Sequence, residues 1–152
     1  RHRVLNRPVL QLQPMTRTVT KVVTALSFVV LLLGVVVTGT GPHAGDKDAK
    51  RYPFNFEAVS ILHADSVIAL ICLAIALYLV VKVSESPEVK KLFGRMIVIF
   101  LAICLSQGAI GYLQYLTGLP ELLVGAHLLG ATLVWITAWR IRITVTRSLI
   151  VD

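Results

Sequence analysis

Cysteine, aromatic residues and charge are all scarce in this chain of 152 residues, which has 2 Cys, 7% aromatics and 15% charged residues. Two thiols cannot build the multi-bridge frame of a small secreted scaffold. No C-x-x-C appears in the sequence, so neither a redox dithiol nor a structural zinc site is legible. With only 6 Pro the chain is neither collagen-like nor a Pro-rich disordered segment. What fills the space is apolar. Hydrophobic residues make up 56% of the chain, against about 45–50% in a soluble domain, where about 25% are charged. Lipid is the solvent this composition implies.

A helix needs roughly 20 mostly apolar residues to cross about 30 Å of hydrocarbon. Four segments meet that length, at about 19–37, 58–83, 96–116 and 121–139. The fold class expected is all-α, an integral-membrane antiparallel four-helix bundle. Thr38-Gly39-Thr40-Gly41-Pro42, Ser84 to Pro87, and Gly118-Leu119-Pro120 punctuate it. The expected connections are about 20, 8–12 and 3–5 residues long, short enough to make chain neighbours antiparallel. The expected organisation is a cytoplasmic segment at 1–18, a bundle over 19–140 with an outer loop at 38–57, and a cytoplasmic tail at 141–152. The first span is too long for a signal-peptide h-region, and no A-x-A site follows it. The chain begins at Arg1, as a fragment or processed product would.

The net charge of +7 is a topology signal. Arg1, Arg3, Arg7, Arg17, Lys21, Lys82, Lys90, Lys91, Arg95, Arg140, Arg142 and Arg147 fall on one side of the four spans, and only Lys47, Lys50 and Arg51 on the other. The positive-inside rule then puts both termini in the cytoplasm and the long first loop outside. Nucleic-acid binding would need a folded basic face with stacking aromatics, and none is present. Trp135 and Trp139, followed by arginines, fit a cytoplasmic interface anchor. Cys72 and Cys104 fall mid-span as packing residues.

An ionisable residue inside a membrane span is costly and points to function. His63 and His127 enter the second and fourth spans from the same side and stop at nearly the same depth, roughly 8–9 Å below their helix starts. Two level imidazoles on parallel helices can sandwich one flat, large object. Small residues accompany them, namely Gly125, Ala126, Gly130 and Ala131 around His127 and Ala64 and Ala69 after His63. That pattern suits a bis-His haem. The competing assignment has each ring hydrogen-bonded to a carbonyl or to Gln107, tying helices together. Copper or zinc suits the pair less well, since two His leave the first shell incomplete. Each ligating ring also needs an acceptor at its second nitrogen, which the sequence does not name. The segments Val37 to Pro42 and Leu116 to Pro120 repeat faintly, each preceding a helix with an early His. Gly34, Gly108 and Gly111 either offer a porphyrin the same bare backbone or permit close helix packing, and packing fits them better.

Among the remaining polar residues, Arg51 is the outer cation nearest a helix and a candidate for haem propionates, with His43 a second candidate for a propionate or proton shuttling. Lys47 and Lys50 fit a solvated loop. Glu57 is six residues from His63, off its face, and fits a helix N-terminal charge. No catalytic residue is assigned.

Taken in order, Thr38 to Asp46 (TGTGPHAGD), Leu62-His63-Ala64-Asp65, Gln107 to Pro120 (QGAIGYLQYLTGLP) and Val124 to Ala131 (VGAHLLGA) resemble bacterial haem A synthase. The match covers nearly the whole chain and is similar to the C-terminal half of that eight-span family. The family's N-terminal half carries Glu-x-x-His and often an outer-loop cysteine pair. Here Ser60 and Val124 stand three before the histidines, and no outer-loop Cys is present. The resemblance implies that His63 and His127 are axial ligands of one low-spin haem b near the outer face of a bacterial cytoplasmic membrane. It also implies haem O as substrate of the whole enzyme, oxidised at a methyl group to the formyl of haem A. The partners it implies are the N-terminal substrate half or a homo-oligomer copy, and an electron donor or acceptor of unstated identity. A stand-alone b-type cytochrome passing electrons between quinol and another protein shares all these features. A structural assembly subunit with helix-bridging histidines is the second rival.

Overall fold

A computed structural model describes residues 11–42, 48 and 50–147, the last of these by its backbone alone. The N-terminal ten residues, with Arg1, His2, Arg3 and Arg7, lie outside the described residues, as do His43, Lys47 and the last five. Four helices follow one another: α1 Pro14–Thr40, α2 Phe56–Ser84, α3 Pro87–Leu116 and α4 Glu121–Arg147. All four are long and apolar enough to cross a membrane, and the described residues contain no strand. The protein is a multi-pass membrane four-helix bundle.

The helices outrun the apolar spans at the end where the chain enters and leaves. Helix α1 starts at Pro14 instead of near residue 19, α3 at Pro87 instead of near 96, and α4 continues to Arg147 instead of stopping near 139. The connection between α2 and α3 is accordingly Glu85 and Ser86 alone, not the 8–12 residues expected. Hydrophobic length marks only the lipid-crossing part of a helix, whereas its ends are set by caps. Ser86 Oγ accepts the Val89 N–H at 3.4 Å with Pro87 in the first turn, and Asn55 Oδ1 accepts the Ala58 N–H at 2.8 Å. Glu57, as expected, is an acidic residue in the first turn of α2.

Each helix touches its two neighbours in the ring α1–α2–α3–α4, and the diagonal pairs stay apart. The two ends of the bundle differ. The α1–α2 and α3–α4 connections form a loop end, and the α2–α3 turn shares a terminal end with the start of α1 and the close of α4. The core runs through the middle and terminal end, where Phe93, Phe100, Leu77 and Ile97 are fully buried.

The packing of the two halves repeats in a register of its own, with buried positions of α1 and α3 77 residues apart, whereas the faint sequence repeat pairs Thr38 with Thr117, 79 residues on. Buried Leu12, just before α1, and Thr16, Thr20, Val23, Ser27 and Val30 of α1 correspond in order to buried Val89, Phe93, Ile97, Phe100, Cys104 and Gln107 of α3. On α2, Leu70, Ala74, Leu77 and Val81 follow His63 at the intervals at which Val134, Ala138, Ile141 and Val145 follow His127. The bundle is two helix pairs with one packing pattern, and the histidines occupy matching places in each.

Candidate functional site: a histidine pair across the bundle

Helices α2 and α4 are diagonal, so a side chain from one reaches the other only through the bundle interior. His63 and His127 do so. Their ring centroids are 6.5 Å apart, with the ring planes inclined at 81°. Both are half-buried and lie near the loop end, two turns or less into their helices.

Glycines on the other two helices make room for them. A Cβ on Gly34 of α1 would stand 3.3 Å from His63 Cε1, and one on Gly111 of α3 would stand 3.3 Å from His127 Cε1. The two halves thus use one device: an imidazole seated against a bare stretch of the preceding helix. Neither Nδ1 completes a hydrogen bond of standard geometry, and both are buried.

The small residues flanking the histidines in sequence do something else. Ala64, Ala69, Gly125 and Ala126 are exposed on the bundle surface. Gly130 is buried, but its open face receives the Gln107 side-chain amide. Gly108 has nothing near the place of its missing Cβ. Gly34 and Gly111, read in the sequence as packing residues, are the two that touch the rings. Spacing along one helix does not show which face a neighbouring helix presents, and so the sequence does not tell which glycines meet the rings. The sequence repeat does not signal the match, because its register sets Gly34 against Leu113; Gly34 meets Gly111 only in the register of the packing.

Beyond the rings, toward the loop end, an open cleft of about 290 Å³ is lined by residues including Thr38, Phe56, Gln114 and Val124. The Oε1 of Gln114 is buried there without a hydrogen-bond partner. Arg51 donates from Nη2 to the Pro42 carbonyl at 2.7 Å, pinning the loop back on the end of α1. Lys50 and Asp65 are exposed, and Cys72 and Cys104 sit separately as free thiols, one exposed and one buried. Trp135 stacks on Trp139 at 5.6 Å and meets Phe28 of α1 at 5.8 Å, away from the histidines.

The geometry can be tested against a metal held between the rings. Two metal–imidazole bonds of about 2.0–2.1 Å, plus ~1.1 Å from each ring nitrogen to its centroid, span about 6.3 Å. The observed 6.5 Å matches that span. Among the described residues no group of three or more His, Cys, Asp or Glu converges. Among the described residues the donor set is two nitrogens, the number that a porphyrin iron leaves open. The two Nδ1 atoms are buried without a hydrogen-bond partner, and a ligating imidazole needs an acceptor at its second nitrogen. The residues present fit an axial pair. No family model matches the chain, nor does any curated protein or solved structure.

Proposed function

We propose that the bundle is a haem b protein of a bacterial cytoplasmic membrane, with His63 and His127 as axial ligands. By its likeness to haem A synthase it is the cofactor half of that oxidoreductase. The observation that carries this reading is the 6.5 Å separation of two imidazoles projected from diagonal helices, each seated on a glycine. When bound, the haem supplies one-electron exchange. The chain's own contribution is to hold two imidazoles at a fixed distance, seat each on a glycine of the preceding helix, and enclose them in apolar surroundings. Gly34 and Gly111 give the two rings room on the helices beside them.

In this reading the loop end faces outward and both termini lie in the cytoplasm, following the excess of Lys and Arg at the terminal end. Arg51 serves as a propionate contact by turning from the Pro42 carbonyl. His43 is a second contact from the same loop. The lipid bilayer surrounds the bundle, and a substrate half or a second copy completes the enzyme that takes haem O.

The test is spectroscopic. Purified full chain, expressed with haem supply, is expected to carry one haem with a Soret band and a low-spin reduced spectrum. His63→Ala and His127→Ala should each lose the haem or convert it to a five-coordinate, high-spin form. A colourless wild type, or spectra unchanged in both variants, defeats the ligand assignment. Conversion of haem O by the chain together with its substrate half separates the synthase reading from a quinol-linked b-type cytochrome, which would bind haem identically.

A further inference from the structure

Helix α1 turns a row of hydroxyls into the bundle interior. Thr16, Thr20 and Ser27 are fully buried and Thr24 is 8% exposed. Thr24 and Ser27 donate their hydroxyl hydrogens to the carbonyls of Thr20 and Val23, at 2.9 and 2.8 Å. That is the usual way a helix conceals such groups. Thr16 and Thr20 depart from it: the Oγ1 of each is buried with no hydrogen-bond partner. On α3 the Oε1 of Gln107, a residue 9% exposed, is in the same condition. An orphan polar atom is costly where bulk water does not reach.

The fold does not require these hydroxyls. At the corresponding places on α3 the repeat has Phe93, Ile97 and Cys104, equally buried. Apolar side chains fill that half of the core, so the polar row on α1 serves a purpose other than packing.

Its spacing fits one ligand. Thr16 and Thr20 stand about 6 Å apart along the helix axis, as do Thr20 and Thr24, with Ser27 about 4.5 Å further on. In the repeat Gln107 matches Val30, which sets it about 4.5 Å beyond Ser27, on the diagonal helix. Two oxygens bridged by one water lie about 4.5 Å apart at a tetrahedral angle and about 5.5 Å apart when the angle at the water opens fully, with hydrogen bonds of about 2.7–2.8 Å each. Water both donates and accepts, and it settles in buried sites that offer two or more polar partners. Glu85, 6% exposed, stands at the terminal end of the row, and at the other stands Gln107, one turn before the Gly111 that faces the His127 ring.

We propose that the bundle interior binds a file of water molecules on Thr16, Thr20 and Gln107, running from Glu85 at the terminal end toward His127. The file is a donor–acceptor chain between the aqueous phase at that end and the histidine pair. It stands independently of what the histidines hold.

Radiolytic footprinting of the full chain in lipid nanodiscs with ¹⁸O-water tests it, because radicals born from bound water label side chains that bulk solvent does not reach. Val23, 1% exposed and one turn from Thr20, is the reporter. Label is expected on Val23 in wild type and in Thr20→Ser, and is expected to fall to background in Thr16→Val/Thr20→Val. Melting gives a second reading that needs no label. Replacing two dry orphan hydroxyls with methyls raises Tm, whereas replacing two hydrated ones leaves it unchanged or lowers it. An unlabelled wild-type Val23, label persisting in the double variant, or a raised Tm overturns the proposal.

Discussion

Gly34 offers His63 no side chain to meet: a Cβ there would stand 3.3 Å from the ring's Cε1. Gly111 and His127 repeat the relation, again at 3.3 Å. Such a contact is tight but yields to a shift of a few tenths of an ångström. Alanine also restores up to about 1 kcal/mol of helix propensity over glycine. Gly34→Ala is therefore expected to leave unfolding free energy within about 1 kcal/mol of wild type. A larger residue has nowhere to go. Gly34→Leu should cost about 1–3 kcal/mol by overpacking and push the imidazole from its place. Denaturant titration in detergent measures the first effect and haem content the second. A Leu variant equal to wild type in both would remove the glycine seat from the account.

Gly130 and Gln107 form the second close approach. A Cβ on Gly130 would overlap the Gln107 side-chain amide. Gly130→Ala is expected to cost about 1–3 kcal/mol, because the amide must leave a buried position. Shortening the partner relieves the overlap, so Gln107→Ala placed in the same chain should recover part of the loss. The double-mutant cycle is expected to show a coupling of about 0.5–3 kcal/mol. Additive losses would mean that the amide moves freely and that Gly130 is not its seat.

The number of helices, their order and the pairing of His63 with His127 were all legible in the sequence, for a physical reason. Apolar runs of membrane length and an imidazole in lipid are extreme features that little else produces. The helix ends were less legible, since Pro87 and Ser86 set the start of α3 by capping while the apolar run starts nine residues later. The ring environment was legible only in part. Which glycine touches which histidine depends on the azimuth of α1 against α2 and of α3 against α4, a property of helix pairs that one helix's spacing does not contain. The buried hydroxyls of Thr16 and Thr20 were hidden for a related reason: the sequence shows a threonine without showing whether it faces lipid or core.

The turn between α3 and α4 makes a sharper forecast. The Leu119 N–H reaches back to the Gln114 carbonyl at 2.7 Å, and Gly118 between them has φ 76°. This is a Schellman closure, with glycine at the position that must be left-handed. Gly118→Ala should cost about 1–2 kcal/mol. Leu119 also sits at φ 61°, where a leucine is strained. Leu119→Asn, better suited to that region, should hold or raise stability by up to about 1 kcal/mol. Thermal unfolding of the two variants is expected to move in opposite directions. If both lower Tm equally, side-chain packing of Leu119 outweighs its backbone strain.

The start of α1 depends on a residue 72 positions away in sequence: Glu85 Oε1 accepts the Gln13 N–H at 3.0 Å. Helix α1 has no acidic residue in its first turn, and its N-cap Gln13 makes no side-chain cap bond. The carboxylate of Glu85 takes over both roles, bonding an otherwise open N–H and facing the positive end of the helix dipole. Hydrogen bonds to charged groups contribute about 1.5–3 kcal/mol, so Glu85→Ala should lose that much. Glu85→Gln keeps an acceptor oxygen and loses the charge, and should forfeit only about 0.3–1 kcal/mol. The same pair of variants locates the effect. Proteolysis near residue 13 should accelerate in the Ala variant and stay close to wild type in the Gln variant, because only the former frees the first turn of α1. Equal acceleration in both would assign the contact to charge alone and leave the hydrogen bond without weight.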